Sequence, residues 1–411
     1  MKTLILSTYE KSGGAAIAAN RLMNALNKYG IGTTMLCRKN ISWGPKALRK
    51  QSWTSIWERL GIFLRNGFSK KNLWAMDTAF VGQDILKTKE YREADVIHLH
   101  WVNQGFLSLD AIEQMVRSGK RVVWTMHDAW NSTGGCHLTL GCEKYKAKCG
   151  SCKYLCGGTE NNNDIANRDL STAVWERKKK LYASGKIQFV TCSEWLRKEV
   201  MGSSLMKDQK VTAIPNPIDT TFYFPQDKKK AREALHLPHD KHLALFVAQN
   251  VSNPYKGMNY LIEAVKRLKG KDVELVMLGN GGAMSSMGGV KVNALGYIRD
   301  AETIRMAYSA VDVFVLPSLS ENLPNTIMEA MSCGTPCVGF RIGGIPEMID
   351  HLKNGYVAEY CNAEDLARGI ETVLFADEAK GYSEACIAKV KENYSEEAVV
   401  KRYLEIYEAP S

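Results

Sequence analysis

The sequence predicts an α/β protein built from two doubly wound domains, and three observations support this. The chain has 411 residues, which is too many for one ordinary core and favours two domains of about 200 residues. Short apolar runs such as residues 311–316 (VDVFVL) are typical of parallel strands buried on both faces. A strand-to-helix pattern opens the chain at residues 4–29, and a second one begins at residue 242.

Composition narrows the class of protein further. Hydrophobic residues make up 45% of the chain and charged residues 24%, as in soluble globular proteins. No apolar run approaches the ~18 residues of a membrane span, and the start, MKTLILSTYEKSGG, predicts a strand rather than a signal peptide. We therefore expect a cytoplasmic protein whose eleven cysteines are reduced thiols or metal ligands.

The charge of the chain is unevenly distributed. Residues 1–215 contain 33 Lys and Arg against 18 Asp and Glu, a difference of +15, whereas residues 216–411 contain 21 against 26, a difference of −5. The first half therefore favours a polyanionic partner, and anionic lipid and nucleic acid are the candidates. We expect no nucleic acid, because the sequence lacks a helix-turn-helix, a ribonucleoprotein signature and a basic platform with spaced aromatics.

One stretch, residues 318–347 (SLSENLPNTIMEAMSCGTPCVGFRIGGIPE), carries the densest set of chemical groups. Glu321 lies in a loop, Pro324 suits the first turn of a helix, and Gly334 ends that helix. Glu329 follows inside the helix, so at ~1.5 Å per residue the two glutamates are up to roughly 12 Å apart. That span fits the sugar and the ribose of a nucleotide sugar, with the diphosphate at the positive helix N-terminus. The alternative is one solvated and one capping glutamate.

The Glu-x7-Glu spacing, followed by AMSCGTPCVGF and GGIPE, resembles the retaining glycosyltransferases of family 4, which have the GT-B architecture. The resemblance is dense over residues 256–355 and weaker over the rest of the chain. It implies two facing Rossmann-like, doubly wound domains with an interdomain cleft. Residues 1–215 would bind the acceptor and residues 216–394 the nucleotide sugar, while a C-terminal helix, about residues 395–411, would pack back on the first domain.

The resemblance also implies roles for residues of the second domain. Glu321 would be catalytic and hold the sugar hydroxyls, and Glu329 would hold the ribose. Lys256 lies at a strand-to-helix turn, where it would bind the departing diphosphate; a surface lysine is the alternative. The other donor contacts would be of two kinds. Loop backbone at Asn322, Leu323, Gly343 and Gly344 would bind the donor, and Tyr297 and Ile298 would form the nucleobase site.

The first domain offers candidates at the ends of its strands. Gly13 and Gly14 lie at the first strand-to-helix turn, where a doubly wound fold brings bare backbone close to phosphates; a tight turn is the alternative. His127 ends a predicted strand at the edge where open α/β sheets bind ligands. The family has a histidine in such a His-Asp context near the transferred sugar or acceptor. We therefore expect His127 to be catalytic and, with Asp128, to lie on the acceptor side.

Five cysteines fall within 21 residues of a predicted insertion, residues 134–158. The spacing C-x5-C-x6-C-x2-C favours a structural four-thiolate zinc site, since a short polar loop cannot bury a core of its own. Four thiolates leave no open position, which speaks against a catalytic zinc. The motif recurs in a subgroup of the resembled family found in surface-polysaccharide pathways. Free or redox-active thiols and disulfides are the alternatives, and the expected ligands are Cys136, Cys142, Cys149 and Cys152, with Cys156 as a substitute.

Residues 46–74 differ in character from the rest of the first domain. Trp, Phe, Ile and Leu recur there at steps of three and four residues, which predicts one face of a helix. Seven Lys and Arg accompany them, and Glu58 is the one residue of opposite charge between positions 46 and 71. Such a basic, Trp-rich amphipathic helix predicts an anchor at an anionic membrane surface. The alternative is a helix that packs its apolar stripe on the sheet.

These observations predict a metal-independent, retaining hexosyltransferase. It would move a sugar from a UDP- or GDP-linked donor to a lipid-linked glycan acceptor. This transfer would belong to capsule, exopolysaccharide or O-antigen synthesis. No cofactor is expected for catalysis, because the sequence has no Asp-x-Asp motif to chelate Mg or Mn. The protein would be cytoplasmic or peripheral on the inner face of the cell membrane. A nucleotide-sugar epimerase of the same fold and an inactive zinc-containing binding protein are the alternatives.

Overall fold

The computed structural model describes residues 1–39, 46–47, 52–70, 72–155, 169–250, 254–280, 285–377 and 381–409. The chain forms two compact units. Unit 1 consists of Met1–Pro215 and Val400–Ser411, and unit 2 consists of Asn216–Val399.

Unit 1 contains, in its described residues, a seven-stranded parallel sheet. Its strands are β1 (Lys2–Tyr9), β2 (Gly32–Lys39), β3 (Lys46–Ala47), β4 (Val96–Leu99), β5 (Arg121–Met126), β6 (Gln188–Thr191) and β7 (Val211–Ala213). They are arranged in the order β3-β2-β1-β4-β5-β6-β7. Every residue of β4 is buried, because helices cover both faces of a parallel sheet.

The helices of unit 1 connect these strands. They are α1 (Gly14–Lys28), α2 (Ser52–Arg65), α3 (Lys89–Glu93), α4 (Leu109–Arg117), α5 (Leu170–Ala183) and α6 (Glu194–Met201). Polar side chains fix several of their starts: Ser108, Asp169 and Ser193 each accept a hydrogen bond from a first-turn backbone N–H of α4, α5 and α6. Such caps stabilise a helix by roughly 1 kcal/mol.

Unit 2 repeats the same plan. Its strands are β8 (His242–Asn250), β9 (Val273–Asn280), β10 (Ser286–Met287), β11 (Val290–Gly296), β12 (Val313–Leu316), β13 (Cys337–Phe340) and β14 (Gly355–Ala358). Their order in the sheet is β10-β11-β9-β8-β12-β13-β14. The β10–β11 pair is antiparallel and the other pairs are parallel.

The remaining helices follow in chain order. They are α7 (Lys228–Ala234), α8 (Met258–Arg267), α9 (Ala301–Ala310), α10 (Asn325–Ser332), α11 (Ile345–Met348), α12 (Ala363–Phe375), α13 (Tyr382–Asn393) and α14 (Glu396–Glu408). The second half of α14 belongs to unit 1, where Tyr407 hydrogen-bonds His98 and Tyr403 hydrogen-bonds Thr125. Among the described helices, none combines the length and the apolar character needed to cross a bilayer.

Strand order reverses beside the first strand of each unit. β1 has β2 on one side and β4 on the other, and β8 has β9 on one side and β12 on the other. Open α/β sheets bind ligands at such switch points, outside the carboxyl ends of the strands. The fold therefore directs attention to the loops that follow β1 and β4 and to those that follow β8 and β12.

Candidate active site

The switch point of unit 2 brings the loops after β8 and β12 into close contact. Gly257 begins α8 with a left-handed backbone (φ +71°), and a Cβ there would lie 1.7 Å from the carbonyl oxygen of Pro317. Because glycine alone tolerates both the φ value and this approach, the loop after β8 rests directly on the end of β12. Lys256, the residue before Gly257, is thereby held at the mouth of the switch point.

Lys256 and Glu321 form an ion pair at this position. The Lys256 Nζ lies 2.6 Å from Glu321 Oε1, and the two side chains are 34% and 15% exposed. The sequence predicted both residues as site residues but did not predict that they touch. An ammonium group and a carboxylate, both accessible to a ligand, thus stand side by side at the carboxyl ends of two adjacent strands.

The loop after β13 closes the same site. Gly343 has φ +59°, and a Cβ there would lie 1.6 Å from the carbonyl oxygen of Glu321. The Gly344 amide donates a hydrogen bond to the Asn322 carbonyl at 2.8 Å. The predicted Gly-Gly pair therefore packs backbone to backbone against the loop that carries Glu321, and no larger residue fits at position 343.

Helix α10 leads away from this loop and positions the second glutamate. Its N-cap, Pro324, supplies no side-chain acceptor for the first-turn amides, and the preceding Leu323 is buried. Glu329 is only 9% exposed, and the Tyr308 hydroxyl donates a hydrogen bond to its Oε2 at 3.1 Å. Burial and the neighbouring Glu329 charge raise the pKa of Tyr308 well above its ordinary value, so Tyr308 stays a hydrogen-bond donor.

The predicted nucleobase residues lie farther along the same sheet edge. Tyr297 and Ile298 follow β11, which is separated from β8 by β9. The Tyr297 ring is 46% exposed, and the Arg299 guanidinium lies 5.7 Å from its centroid. An accessible aromatic ring of this kind offers a flat apolar surface to a planar ligand.

The switch point of unit 1 is lined by aromatic and acidic groups. The rings of Tyr9, at the end of β1, and Trp101, after β4, stack with centroids 6.1 Å apart. Gly13 is the N-cap of α1 with φ 89°, a Cβ there would meet nothing within 4 Å, and Gly14 is the first helical residue. The two glycines thus form the tight turn into α1.

His127 follows β5 and contacts two groups through its two ring nitrogens. Its Nε2 lies 3.0 Å from His100 Nδ1, and its Nδ1 lies 3.3 Å from the Cys192 sulfur. Burial lowers the pKa of His127 to about 4, against the opposing effect of the Asp128 charge. The imidazole is therefore neutral near pH 7. It can accept a proton only from a group that is a stronger acid than His100 or Cys192.

Asp128 belongs to a chain of charged groups that sequence reasoning missed. Its Oδ2 accepts from Trp101 Nε1 at 3.0 Å and lies 2.8 Å from His137 Nδ1. The other nitrogen of His137 lies 2.8 Å from Asp77 Oδ2, and Asp77 pairs with Arg59 of α2. Burial alone would raise the pKa of Asp128, but the effect of His137 and the hydrogen bonds outweighs it and lowers that pKa.

His98, on β4, has a structural role. Its ring nitrogens contact the Tyr407 hydroxyl and the Thr125 hydroxyl, each at 2.7 Å, and the side chain is fully buried. Burial and the nearby His127 lower its pKa to about 3. This histidine fixes the C-terminal helix to the sheet and is not accessible to a ligand.

Two family models match this chain. The model described as "Glycosyltransferase Family 4" matches residues 12–222, which is more than half of the chain, and the model described as "Glycosyl transferases group 1" matches residues 241–375. The chain belongs to glycosyltransferase family 4. The first range includes most of unit 1. The second range includes β8 and β12, and Lys256 and Glu321 lie in the loops that follow these two strands.

Curated relatives are also described as glycosyltransferases. The chain is 29% identical over 237 residues to an uncharacterised glycosyltransferase of Methanocaldococcus jannaschii, covering 54% of this chain and 59% of that protein. It is 26% identical over 275 residues to the putative colanic acid biosynthesis glycosyl transferase WcaC of Escherichia coli K12, covering 64% of each chain. The matches therefore span somewhat more than half the length of these two relatives.

Solved structures of glycosyltransferases share the fold of this family 4 chain. One is the Anabaena protein HepE in complex with UDP-glucose, with a TM-score of 0.63 at 15% identity, covering 99% of each chain. At this identity the match concerns the fold, which is GT-B: two Rossmann-like, doubly wound units of the kind described above.

The cysteines predicted as metal ligands surround one small cavity in unit 1. Cys136, Cys142, Cys149 and Cys152 all line it, and it measures about 20 Å³, enough for one water-sized sphere. The Gly134 amide donates to the Cys149 sulfur at 3.1 Å. Within the described residues the cysteines are free thiols, and no three His, Cys, Asp or Glu side chains are arranged to hold a metal ion. Cys156 lies outside the described residues.

A buried lysine that the sequence did not single out lies beside this cluster. Lys178 of α5 is fully buried, its Nζ donates to the carbonyls of Trp130 and Thr133, and it lies 3.4 Å from the centroid of the Trp130 ring. Burial lowers the pKa of Lys178 to about 7, while the neighbouring Cys136 and Cys149 act to raise it. Its position at the start of a run of three lysines, 178–180, gave no sequence signal of burial.

Proposed function

We propose that this chain is a retaining glycosyltransferase that moves a sugar from a nucleotide-sugar donor to a glycan acceptor. The observation that carries the proposal is the Lys256–Glu321 pair at the switch point of unit 2, enclosed by the Gly343–Gly344 loop. The fold shared with HepE, whose structure contains UDP-glucose, supports a nucleotide-sugar donor.

In this proposal the donor binds to unit 2 and takes the place of one partner in the ion pair. The diphosphate attracts the Lys256 ammonium group, and the amides of Leu323 and Gly343 donate to the charge that develops on the leaving group, while the Gly344 amide holds the loop through the Asn322 carbonyl. Glu321 is then free to accept hydrogen bonds from the sugar hydroxyls. These groups lower the barrier to transfer by stabilising the diphosphate as it departs.

Farther along the donor, Glu329 accepts hydrogen bonds from the ribose hydroxyls, while the Tyr308 hydroxyl holds its carboxylate in place. Tyr297 and Ile298 contact the nucleobase, and Asn322 shapes the loop around the sugar. His127 and Asp128 lie on the acceptor side, where a neutral imidazole can orient the attacking hydroxyl.

The acceptor class follows from relatives and charge. WcaC carries the description of a putative colanic acid biosynthesis enzyme, and residues 1–215 have an excess of 15 positive charges. A glycan linked to an anionic lipid carrier in capsule, exopolysaccharide or O-antigen synthesis fits both facts. UDP- and GDP-linked sugars are the donors proposed, with no metal cofactor in catalysis, so transfer should persist in EDTA.

A thermal-shift screen with UDP-, GDP- and ADP-sugars tests the proposal, since a ligand that binds only the folded state raises Tm. We expect one nucleotide class to raise Tm, and we expect Lys256→Ala to abolish that rise. Lys271→Ala is the matched control, because Lys271 forms an ion pair of the same length with Glu371 elsewhere in unit 2. A chain that binds none of these donors, or that interconverts the donor sugar without an acceptor, would contradict the proposal.

A further inference from the structure

Two charged residues of helix α2 face inward. Glu58 and Arg59 are only 2% and 8% exposed. The Glu58 Oε1 accepts hydrogen bonds from the Thr78 amide and hydroxyl and from the Ala79 amide, at 2.7 to 2.8 Å. Arg59 donates to the carbonyls of Leu73 and Met76 and pairs with Asp77. These contacts fix the rotation of the helix about its axis.

The opposite side of α2 consists of large apolar side chains that face solvent. At 100° per residue, five of them share one helix face, and two further exposed aromatic residues, Phe68 and Trp74, follow α2 in the chain. Together they form what we call the α2 apolar face: Trp53 (68% exposed), Ile56 (53%), Trp57 (56%), Leu60 (37%), Leu64 (49%), Phe68 (69%) and Trp74 (66%). The predicted stripe is therefore real, but the alternative in which it packs on the sheet is wrong.

Backbone geometry holds the edge of this face outward. Phe68 adopts φ +59°, a left-handed conformation that is unfavourable for a bulky residue. Its amide donates to the Phe63 carbonyl at 3.0 Å, so the turn that presents the ring is hydrogen-bonded. The Arg59 guanidinium lies 4.9 Å from the Trp74 ring centroid and supports that ring from the protein side. The exposed aromatics are thus held in position rather than left on a loose loop.

The segment that carries the α2 apolar face is basic. Residues 46–76 contain seven Lys and Arg and one acidic residue, Glu58, and the Glu58 carboxylate is turned into the protein. Of these, Arg65 and Lys70 are exposed, whereas Arg59 is buried. Arg49, Lys50 and Lys71 lie outside the described residues. The segment that presents these apolar rings therefore carries a net positive charge.

We propose that the α2 apolar face inserts into the headgroup region of an anionic lipid membrane. Tryptophan and phenylalanine rings favour the boundary between headgroups and acyl chains. Each basic residue near an anionic surface strengthens binding by about fivefold, the equivalent of ~1 kcal/mol. Net positive charge around the face argues against a second copy of this chain as the occupant, since two such surfaces would repel each other. An exposed apolar patch of this size also calls for a partner.

Vesicle co-sedimentation of the full chain tests this proposal. We expect binding to vesicles of phosphatidylcholine with 30% phosphatidylglycerol, much weaker binding to phosphatidylcholine alone, and a decrease as salt rises. Trp53→Gln combined with Trp57→Gln should weaken binding at least about tenfold, since each ring removes more than 100 Å² from water on insertion. Tyr29→Gln, which changes an exposed aromatic of α1 outside the face, should bind like the unaltered chain.

Three outcomes would overturn the proposal: equal binding to neutral and anionic vesicles, no binding to either, or unchanged binding by the double tryptophan variant. Analytical ultracentrifugation adds a fourth, a dimer of the unaltered chain that the double variant loses, which would assign the face to a second copy. Circular dichroism verifies that each variant folds. No sugar nucleotide enters these measurements, so the result does not depend on the proposed transfer reaction.

Discussion

The Lys256–Glu321 pair is a contact in which two residues of the candidate site neutralise each other before any ligand arrives. Both side chains remain partly exposed, so solvent weakens the attraction, and a surface pair of this kind contributes only about 0–1 kcal/mol. A diphosphate with two negative charges can therefore displace Glu321 from Lys256 at small cost. The pair holds both groups ready for the donor and adds little to folding stability.

Replacing Glu321 by glutamine tests the role of its charge. The amide keeps the size of the side chain but accepts weaker hydrogen bonds from sugar hydroxyls, and we expect transfer to fall by about 100-fold to 1,000-fold. Steady-state kinetics with the donor identified by the thermal-shift screen would measure this. Glu371→Gln, at a surface ion pair of the same unit, should leave the rate unchanged. Wild-type turnover in the Glu321 variant would remove this residue from the mechanism.

Gly343→Ala tests the backbone contact between the loops after β12 and β13. Position 343 combines a left-handed φ with a distance of only 1.6 Å between an added Cβ and the Glu321 carbonyl oxygen, so both loops must shift. Gly270→Ala is the control, because Gly270 has φ +82° with no atom within 4 Å of an added Cβ and should cost only about 1 kcal/mol. We expect Gly343→Ala to lower the free energy of unfolding, measured by chemical unfolding, at least twice as much as Gly270→Ala does, and to abolish donor binding. Equal losses of unfolding free energy for both variants would count against the contact.

Among the elements, α2 shows what periodicity can and cannot predict. The spacing of Trp53, Ile56, Trp57 and Leu60 predicted an amphipathic helix, and the structure contains one at Ser52–Arg65. Periodicity identifies the two sides of a helix but not which side faces the protein. That choice depends on Glu58, whose carboxylate accepts three hydrogen bonds from residues 20 and 21 positions away, and no local pattern reveals such partners.

The cysteine loop gives a second prediction at this scale. Around its four thiols the described chain has little regular structure, a 3-10 turn at Lys144–Lys146 and an isolated bridge from Cys136 to Met76, so a cross-link would add to its stability. We expect the thiols to close on one zinc ion at Zn–S distances of about 2.3 Å, and elemental analysis to find about one zinc per chain. Cys149→Ser with Cys152→Ser should remove the metal and lower Tm, whereas Cys361→Ser, outside the cluster, should not. Metal-free protein purified under reducing conditions would refute this expectation.

For the molecule as a whole, the buried histidines of unit 1 predict acid sensitivity. His98, which faces Tyr407, Thr125 and His100, has a folded-state pKa lowered to about 3 by burial, against an ordinary value of 6.5. Between those values the unfolded chain binds a proton that the folded chain does not, so stability falls as pH falls. The loss should reach ~3 kcal/mol between pH 6.5 and pH 4.

Chemical unfolding from pH 7 to pH 4 measures this slope. His98→Asn should reduce it, while His239→Asn, at an exposed position of unit 2, should leave it unchanged. A slope that His98→Asn does not alter would show that other groups cause the acid sensitivity. Comparing slopes rather than absolute stabilities keeps the test valid even if His98→Asn is less stable at every pH.

Most of the fold followed from the sequence, but the site followed only in part. Buried strands, glycine turns and the Glu-x7-Glu helix are local patterns, and the structure has β1, α1, β12 and α10 within a few residues of the prediction. The Asp128–His137–Asp77 chain was missed, since Asp77 and His137 are 60 positions apart. Lys178 was missed because its burial depends on the loop around Trp130. Local signals predict elements, whereas contacts between distant loops require the structure.

Unit 1 contains residues from both distant parts of the chain, since Val400–Ser411 belongs to it together with Met1–Pro215. The hydroxyls of Tyr403 and Tyr407 contact Thr125 and His98 of the central strands. On the ribosome, these strands therefore wait for roughly three hundred further residues before their last partners emerge, whereas Asn216–Val399 can fold as soon as it is made. The N-terminal region, synthesised first, should be the later of the two to reach its native state.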